Sequence, residues 1–229
     1  MLRASSNRYQ GTLSMIHRQL LASLLLVATV APAQAAVTDA SLDAATAAVM
    51  PQVINWRRDF HQNPELSNRE FRTSKIVADQ LRQMGIEVQT GIAHTGVVGI
   101  LRGGKPGPTI ALRSDMDALP VTEQGDLPFK STATSEYRGE KVGVMHACGH
   151  DGHMAILLGA AKVLAGMRNE LPGTVMFIFQ PAEEGAPDGE RGGASLMLDE
   201  GLFASNKPDA VFGLHLWSAM NTGAIGYRE

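Results

Sequence analysis

The segment His146-Ala147-Cys148-Gly149-His150-Asp151-Gly152-His153 packs three histidines, a cysteine and an aspartate into eight residues. Imidazole, thiolate and carboxylate are the donors that zinc and related divalent ions take. Gly149, between Cys148 and His150, permits a tight bend that points both side chains at one ion. The residues that follow read as the start of a helix, whose N-terminus stabilises an anionic donor placed there. The plainer reading of the segment is a histidine-rich surface loop. Cys148 is the chain's one cysteine, so no intrachain disulfide can form, and metal ligation is a task that explains a lone thiol.

Other groups join it at a distance in sequence. Glu183-Glu184 follows an apolar run, and two adjacent carboxylates there are costly unless something positive lies near. A metal supplies that charge. Neighbours in an extended segment point opposite ways, so one can ligate while the other faces a water on the metal. An acidic turn is the alternative, because Gly185, Pro187, Asp188 and Gly189 come next. His215 follows another apolar run; it reads as a ligand only in the company of the rest. Asp115 and Asp117 in Arg113-Ser114-Asp115-Met116-Asp117 fit supporting roles, in which a carboxylate orients a ligating imidazole or backs the metal pair. They also fit an aspartate nucleophile of a phosphotransfer enzyme, or a turn cap at Asp117. His146 and Asp151 are placed with the supporting groups. His17, His61 and His94 lack such company and read as structural or solvated.

Stepping along the chain, apolar positions at Val49, Val53, Trp56 and Phe60 predict an amphipathic helix over 44–60. Ile76, Val77, Leu81 and Met84 predict a second over 70–84, capped by Gly85. Helices are also expected over 151–167 and 192–202. Strands are expected over 97–101, 109–112, 174–179 and 210–216, with a turn at 103–108. Strands apolar on both faces and separated by helices point to an α/β layered fold with a largely parallel central sheet. In such sheets ligands bind beyond the carboxyl ends of the strands. Three of the polar groups named above follow strands directly.

These residues resemble a known family. Arg58-Asp59-Phe60-His61-Gln62-Asn63-Pro64-Glu65-Leu66-Ser67, Arg113 to Pro120, His146 to His153, Phe179 to Gly185 and Gly213-Leu214-His215 are similar to the amidohydrolase branch of the aminoacylase/carboxypeptidase metallopeptidases, which includes hippurate hydrolases and indole-acetyl-amino-acid hydrolases. The resemblance covers about residues 45–229. It implies a zinc-exopeptidase-like α/β catalytic domain holding two divalent ions, zinc, manganese, cobalt or nickel. It implies Cys148, His150, Glu184 and His215 as ligands and Glu183 as the general base for a water on the metal. The substrates implied are N-acyl amino acids or small peptides. Family members are longer. The resemblance therefore implies that residues 41–229 are the N-terminal part of the catalytic domain. The fold is then incomplete, the inserted lid and dimerisation domain is absent, and a further histidine ligand is missing. Oligomerisation through the inserted domain is doubtful on this reading.

Residues 1–36 are expected to lie outside that fold. Arg18, the apolar run Leu20 to Val30 and the small residues Ala33-Gln34-Ala35 have the layout of a secretory signal, with Met15 a possible true start and a periplasmic or secreted destination. That run is too short to span a bilayer of roughly 30 Å as a helix. A net charge of −3 without Lys/Arg runs argues against nucleic acid and against a membrane surface. Three other functions stay open on the residues: a non-catalytic remnant, a cysteine hydrolase using Cys148 with His146 or His150, and phosphotransfer at Asp115 and Asp117.

Overall fold

The computed structural model describes residues 37–227; the expected export signal lies outside them. Four α-helices and seven strands follow in the order α1 (Asp39–Gln62), α2 (Phe71–Gln83), β1 (Glu87–Ile92), β2 (Gly96–Arg102), β3 (Lys105–Asp115), β4 (Thr134–Tyr137), β5 (Glu140–Gly143), α3 (His150–Gly166), β6 (Pro172–Gln180), α4 (Gly193–Asp199) and β7 (Ala210–Gly213). None of the helices described is long and apolar enough to cross a membrane. α1 begins earlier than its apolar spacing predicts. The Thr38 hydroxyl accepts the amide of Ser41, and the Ser41 hydroxyl accepts the amide of Thr38, which closes a capping box ahead of the first buried residue.

The five-stranded sheet runs β1-β2-β6-β3-β7. β3 pairs in parallel with β6 and β7, while β2 runs against β6 and β1 against β2. Four strands therefore share one direction and β2 alone opposes it. The apolar runs of β2 and β6 have a simple cause. Side chains alternate between faces, and both faces are covered. Phe177 and Phe179 of β6 join Val97 and Leu101 of β2 against Trp56, Phe60, Val77, Leu81, Met154 and Leu158 of α1 to α3. Met176 and Ile178 join Val98 and Ile100 on the other face, against Leu196 and Met197 of α4. Each such side chain contributes about 1.5–3 kcal/mol on burial.

Two expectations are corrected here, and three strands appear that none had named. The stretch 103–108 is not all turn: β3 already starts at Lys105, and its register with β6 shifts before Thr109. β1 and the β4–β5 hairpin carry mostly exposed or half-buried residues and gave no apolar pattern to find. β7 stops at Gly213, so His215 stands in the loop after the strand and is exposed.

Gly173 opens β6 at φ +74°, and a Cβ there would collide with the carbonyl oxygen of Pro108. Gly173→Ala is expected to lower the unfolding free energy by about 3 kcal/mol or more, from left-handed strain together with a backbone clash. Urea denaturation reads this directly. A midpoint matching the parent's would mean that the β3–β6 junction relaxes around the methyl group.

Candidate metal centre

Parallel β3, β6 and β7 end on one rim, and each hands its next residues to the same place. β3 delivers Asp115 and, two residues on, Asp117. After β6 comes Pro181-Ala182-Glu183-Glu184, and after β7 comes His215. The N-terminus of α3 faces them. Its cap, Gly149, has φ +91°, and its carbonyl accepts the amides of Gly152 and His153. That bend sets Cys148 and His150 on either side of a residue with no side chain of its own.

Two groups of donor atoms result, each drawn together within 4.8 Å: Cys148, His150 and Glu184; and Asp115, His150, His153 and His215. His150 belongs to both. Its Nδ1 meets the carbonyl oxygen of Asp117 at 2.7 Å. A carbonyl only accepts, so Nδ1 carries the proton and Nε2 keeps a lone pair. That Nε2 is buried and has no hydrogen-bond partner among the described residues. Around it stand Asp115 Oδ2 at 3.6 Å, Glu183 Oε2 at 3.6 Å and Glu184 Oε1 at 3.7 Å. His215 has the same polarity: Nδ1 donates to the Leu216 carbonyl at 2.6 Å, and Nε2 faces Cys148 Sγ at 3.6 Å. The structure thus brings Cys148, His150, Glu184 and His215 together, with His215 meeting the first group through both His150 and Cys148.

The supporting residues divide. Asp117 is buried, and its carboxylate accepts the amide of Glu183 at 3.0 Å, the amide of Glu184 at 2.9 Å and the Ser67 hydroxyl at 2.7 Å. Burial works against its charge, but these bonds and His150 hold its carboxyl below the usual range. Asp115 accepts from His153 Nδ1 at 2.6 Å and from Arg113 at 2.9 Å. His153 Nε2 in turn accepts the amide of Leu216 at 2.7 Å. Both nitrogens of His153 are therefore engaged, which makes it a prop for the His215 loop, with no lone pair free for an ion. Asp151 faces away from the donors: it accepts from Arg57 at 2.9 Å and from His61 at 2.9 Å, and His61 reaches Glu123 on its other side. His61 is thus a buried structural residue. His146 is buried with neither ring nitrogen partnered among the described residues, and burial pushes its pKa down to about 4.

Cys148 departs from the expectation of a stabilised thiolate. Burial and the carboxylates of Glu184, Glu183 and Asp115 push its thiol up to about 12. The helix N-terminus does not offset three acids. His150 is pulled the opposite way: burial opposes its charge, yet Asp117 and Asp115 raise its pKa. Arg113 offsets only Asp115 among three acids that share the centre with a thiol and an imidazole nitrogen unpartnered among the described residues, and a divalent cation fits it on chemistry as well as on donor type.

Sequence reasoning missed Glu70, Ser67 and the role of His153. The last stands at i+3 from His150 on one helix, a spacing that places both on one face. Glu70 is fully buried; burial pushes its carboxyl up to about 7 against hydrogen bonds from Thr95 and the Ala182 amide. Two clefts flank the donors. One of about 290 Å³ is bounded by Glu184, Leu66, Leu119 and Tyr137. One of about 760 Å³ is bounded by Cys148, His146, His215 and Trp217.

Known proteins are similar to the chain in sequence and in fold. The chain is 49% identical over 178 residues to thermostable carboxypeptidase 2 of Saccharolobus solfataricus, covering 77% of this chain and 42% of that protein. It is 42% identical over 178 residues to the N-acyl-L-amino acid amidohydrolase of Geobacillus stearothermophilus, covering 78% and 44%. Its fold matches the crystal structure of a dinuclear metal-binding M20 peptidase from Bacillus subtilis with a TM-score of 0.69 and 42% identity, covering 80% of this chain and 48% of that one. The chain spans less than half the length of each. Residues 111–229, more than half of the chain, match peptidase family M20/M25/M40. That stretch holds every expected ligand and the Glu183-Glu184 pair, and by this match the chain belongs to peptidase family M20/M25/M40.

Proposed function

We propose that this chain provides the metal-binding and acid–base groups for hydrolysing the amide bond of N-acyl amino acids or small peptides. The observation that carries the reading is His150 Nε2, buried and without a hydrogen-bond partner among the described residues, ringed by Asp115, Glu183 and Glu184. Cys148, His150, Glu184 and His215 would hold divalent metal, in a two-ion centre of the kind named for the Bacillus subtilis relative. When bound, such an ion lowers the pKa of a water towards about 7 and polarises an amide carbonyl.

The remaining chemistry falls to side chains. Glu183 follows Ala182, whose φ of +48° turns the chain sharply after β6. Its carboxylate is about one third exposed and close to His150. From there it removes a proton from the attacking water and returns it to the nitrogen of the leaving amine. Glu184 points to the Cys148 side of His150 and acts as a ligand. The cleft bounded by Leu66, Leu119 and Tyr137 offers apolar surface beside Glu184 for an acyl group.

A cysteine nucleophile at Cys148 fits less well. The imidazole of His215 lies at 3.6 Å, but burial, with the carboxylates of Glu184, Glu183 and Asp115, keeps the sulfur protonated at neutral pH. The deciding experiment loads the full chain with zinc, manganese, cobalt or nickel and measures bound metal alongside hydrolysis of N-acetyl, N-benzoyl and N-indoleacetyl amino acids. Turnover that disappears with chelator and returns on adding metal is expected. Turnover that survives chelation but is lost on thiol alkylation would overturn the reading in favour of a cysteine hydrolase. Metal binding without turnover would limit the chain to the binding role.

A further inference from the structure

Glu70 stands just ahead of α2, far in sequence from every expected ligand, and is completely buried. A carboxylate in that position is costly unless its oxygens are bonded. One oxygen, Oε2, accepts the hydroxyl of Thr95 in the β1–β2 connection at 2.5 Å. The other, Oε1, accepts the amide of Ala182 at 2.9 Å. The next two amides, those of Glu183 and Glu184, end on Asp117. Three consecutive N–H groups are therefore held by two buried carboxylates from distant parts of the chain. Pro181 has no N–H to offer. The first held residue, Ala182, lies in the left-handed region at φ +48°, a conformation that a residue with a Cβ keeps only where its surroundings enforce it.

We propose that Glu70 is a positioning residue, which clamps the Ala182 amide and thereby sets where the Glu183 and Glu184 side chains stand at the metal centre. This rests on the metal reading given above. The clamp is anchored on the β1–β2 connection through Thr95 and on the head of α2, elements that carry no donor themselves. Asp117 alone holds the second and third amides but leaves the turn free to pivot at its first residue. With Glu70 in place both ends of the turn are fixed, and the two adjacent glutamates both reach His150 Nε2, at 3.6 Å and 3.7 Å, although neighbours in an extended segment would point opposite ways.

The test has two arms on the full chain, comparing Glu70→Ala, Glu70→Gln and Thr95→Val with the parent. In metal-free protein, amide exchange at Ala182, Glu183 and Glu184 is expected to speed up at least tenfold in Glu70→Ala, with the amides of α1 and α3 unchanged. Glu70→Gln keeps an amide oxygen for Ala182, so its exchange should stay within about threefold of the parent. Should Glu70→Ala fail to fold, Glu70→Asp replaces it, because the shorter side chain keeps the charge but draws back from Ala182. In the second arm, cobalt(II) affinity is expected to fall at least tenfold in Glu70→Ala and to recover in Glu70→Gln. The Cys148 thiolate–cobalt absorption should persist throughout. Thr95→Val, which leaves the Ala182 bond intact, should bind cobalt like the parent even if it melts earlier. Parent-like exchange and cobalt affinity in Glu70→Ala or Glu70→Asp would overturn the proposal. Lower melting with unchanged cobalt affinity would reduce Glu70 to a structural residue. A parent that binds no cobalt would sink the metal reading, while the exchange arm still decides the clamp.

Discussion

Glu183→Ala is expected to lower hydrolysis of a responsive N-acyl amino acid by about a thousandfold while the chain keeps its divalent ion. A positioned general base contributes roughly 10²- to 10⁴-fold. The two buried carboxylates of the Asp115–Asp117 segment are already committed. Asp115 and Asp117 are spent on hydrogen bonds to His153, Arg113, Ser67 and two backbone amides. Glu184 lies in the donor group with Cys148 and His150, so Glu184→Ala should lose bound metal as well as turnover. The contrast between neighbours is the informative part, because both side chains leave the same held turn and reach His150 Nε2, yet only Glu184 shares a donor group with Cys148. Glu183→Gln keeps shape and removes basicity, and should be nearly as slow as alanine. Parallel assays of metal content and kcat on the four proteins check this. If Glu183→Ala lost metal and Glu184→Ala kept it, the two roles would be exchanged.

Whatever was written locally could be read from the sequence. The donors between His146 and His153 lie within eight residues, and the two glutamates adjoin each other after an apolar strand. The strands at the sheet's centre announced themselves because both faces are covered, so β2 and β6 are apolar at consecutive positions. What escaped depends on long-range pairing or on exposure. β1 is an outer strand with mostly exposed side chains and no periodic signal. Glu70 acts on Ala182, 112 residues away, and nothing near it in sequence suggests a partner. Asp151 sits inside the donor-rich segment, yet it turns to His61, 90 residues earlier, because the first turn of α3 points it towards α1. His215 seemed to end a strand, but β7 pairs with β3 only as far as Arg113–Gly213. Beyond that point the chain bends so that the Leu216 amide reaches His153. A donor cluster is thus readable from residue types, whereas the groups that hold it in shape are visible only once the chain is folded.

Asp117→Ala should have the largest structural effect of any change at the centre. Its buried carboxylate accepts two backbone amides and one hydroxyl, and its carbonyl takes the Nδ1 proton of His150. Removing the carboxylate strands the two amides, since the Ser67 hydroxyl can rotate but the amides cannot. A loss of about 3–4 kcal/mol is expected. Metal affinity should fall by about 10- to 100-fold, as for other groups that support a ligand from behind. Asp117→Asn is a sharper probe. Its oxygen can satisfy one amide, but its NH₂ then faces the other, donor against donor, so most of the loss should remain. The dependence on pH follows from the sign of the shift. The folded-state pKa of Asp117 lies below the ordinary aspartate value of 3.8, so the unfolded chain takes up the proton first as acid is added. The stabilisation from its charge is therefore complete above that value and is lost as pH falls through the folded-state pKa. Urea unfolding of metal-free parent and Asp117→Asn should differ most at pH 5 and above, and the gap should narrow only below about pH 3.8, where the unfolded chain's aspartate takes up its proton while the folded one is still ionised. A gap between the two proteins that stayed constant down to pH 3 would mean that shape rather than charge makes Asp117 necessary, and that the Glu183-Glu184 turn is held without an ionised carboxylate beneath it.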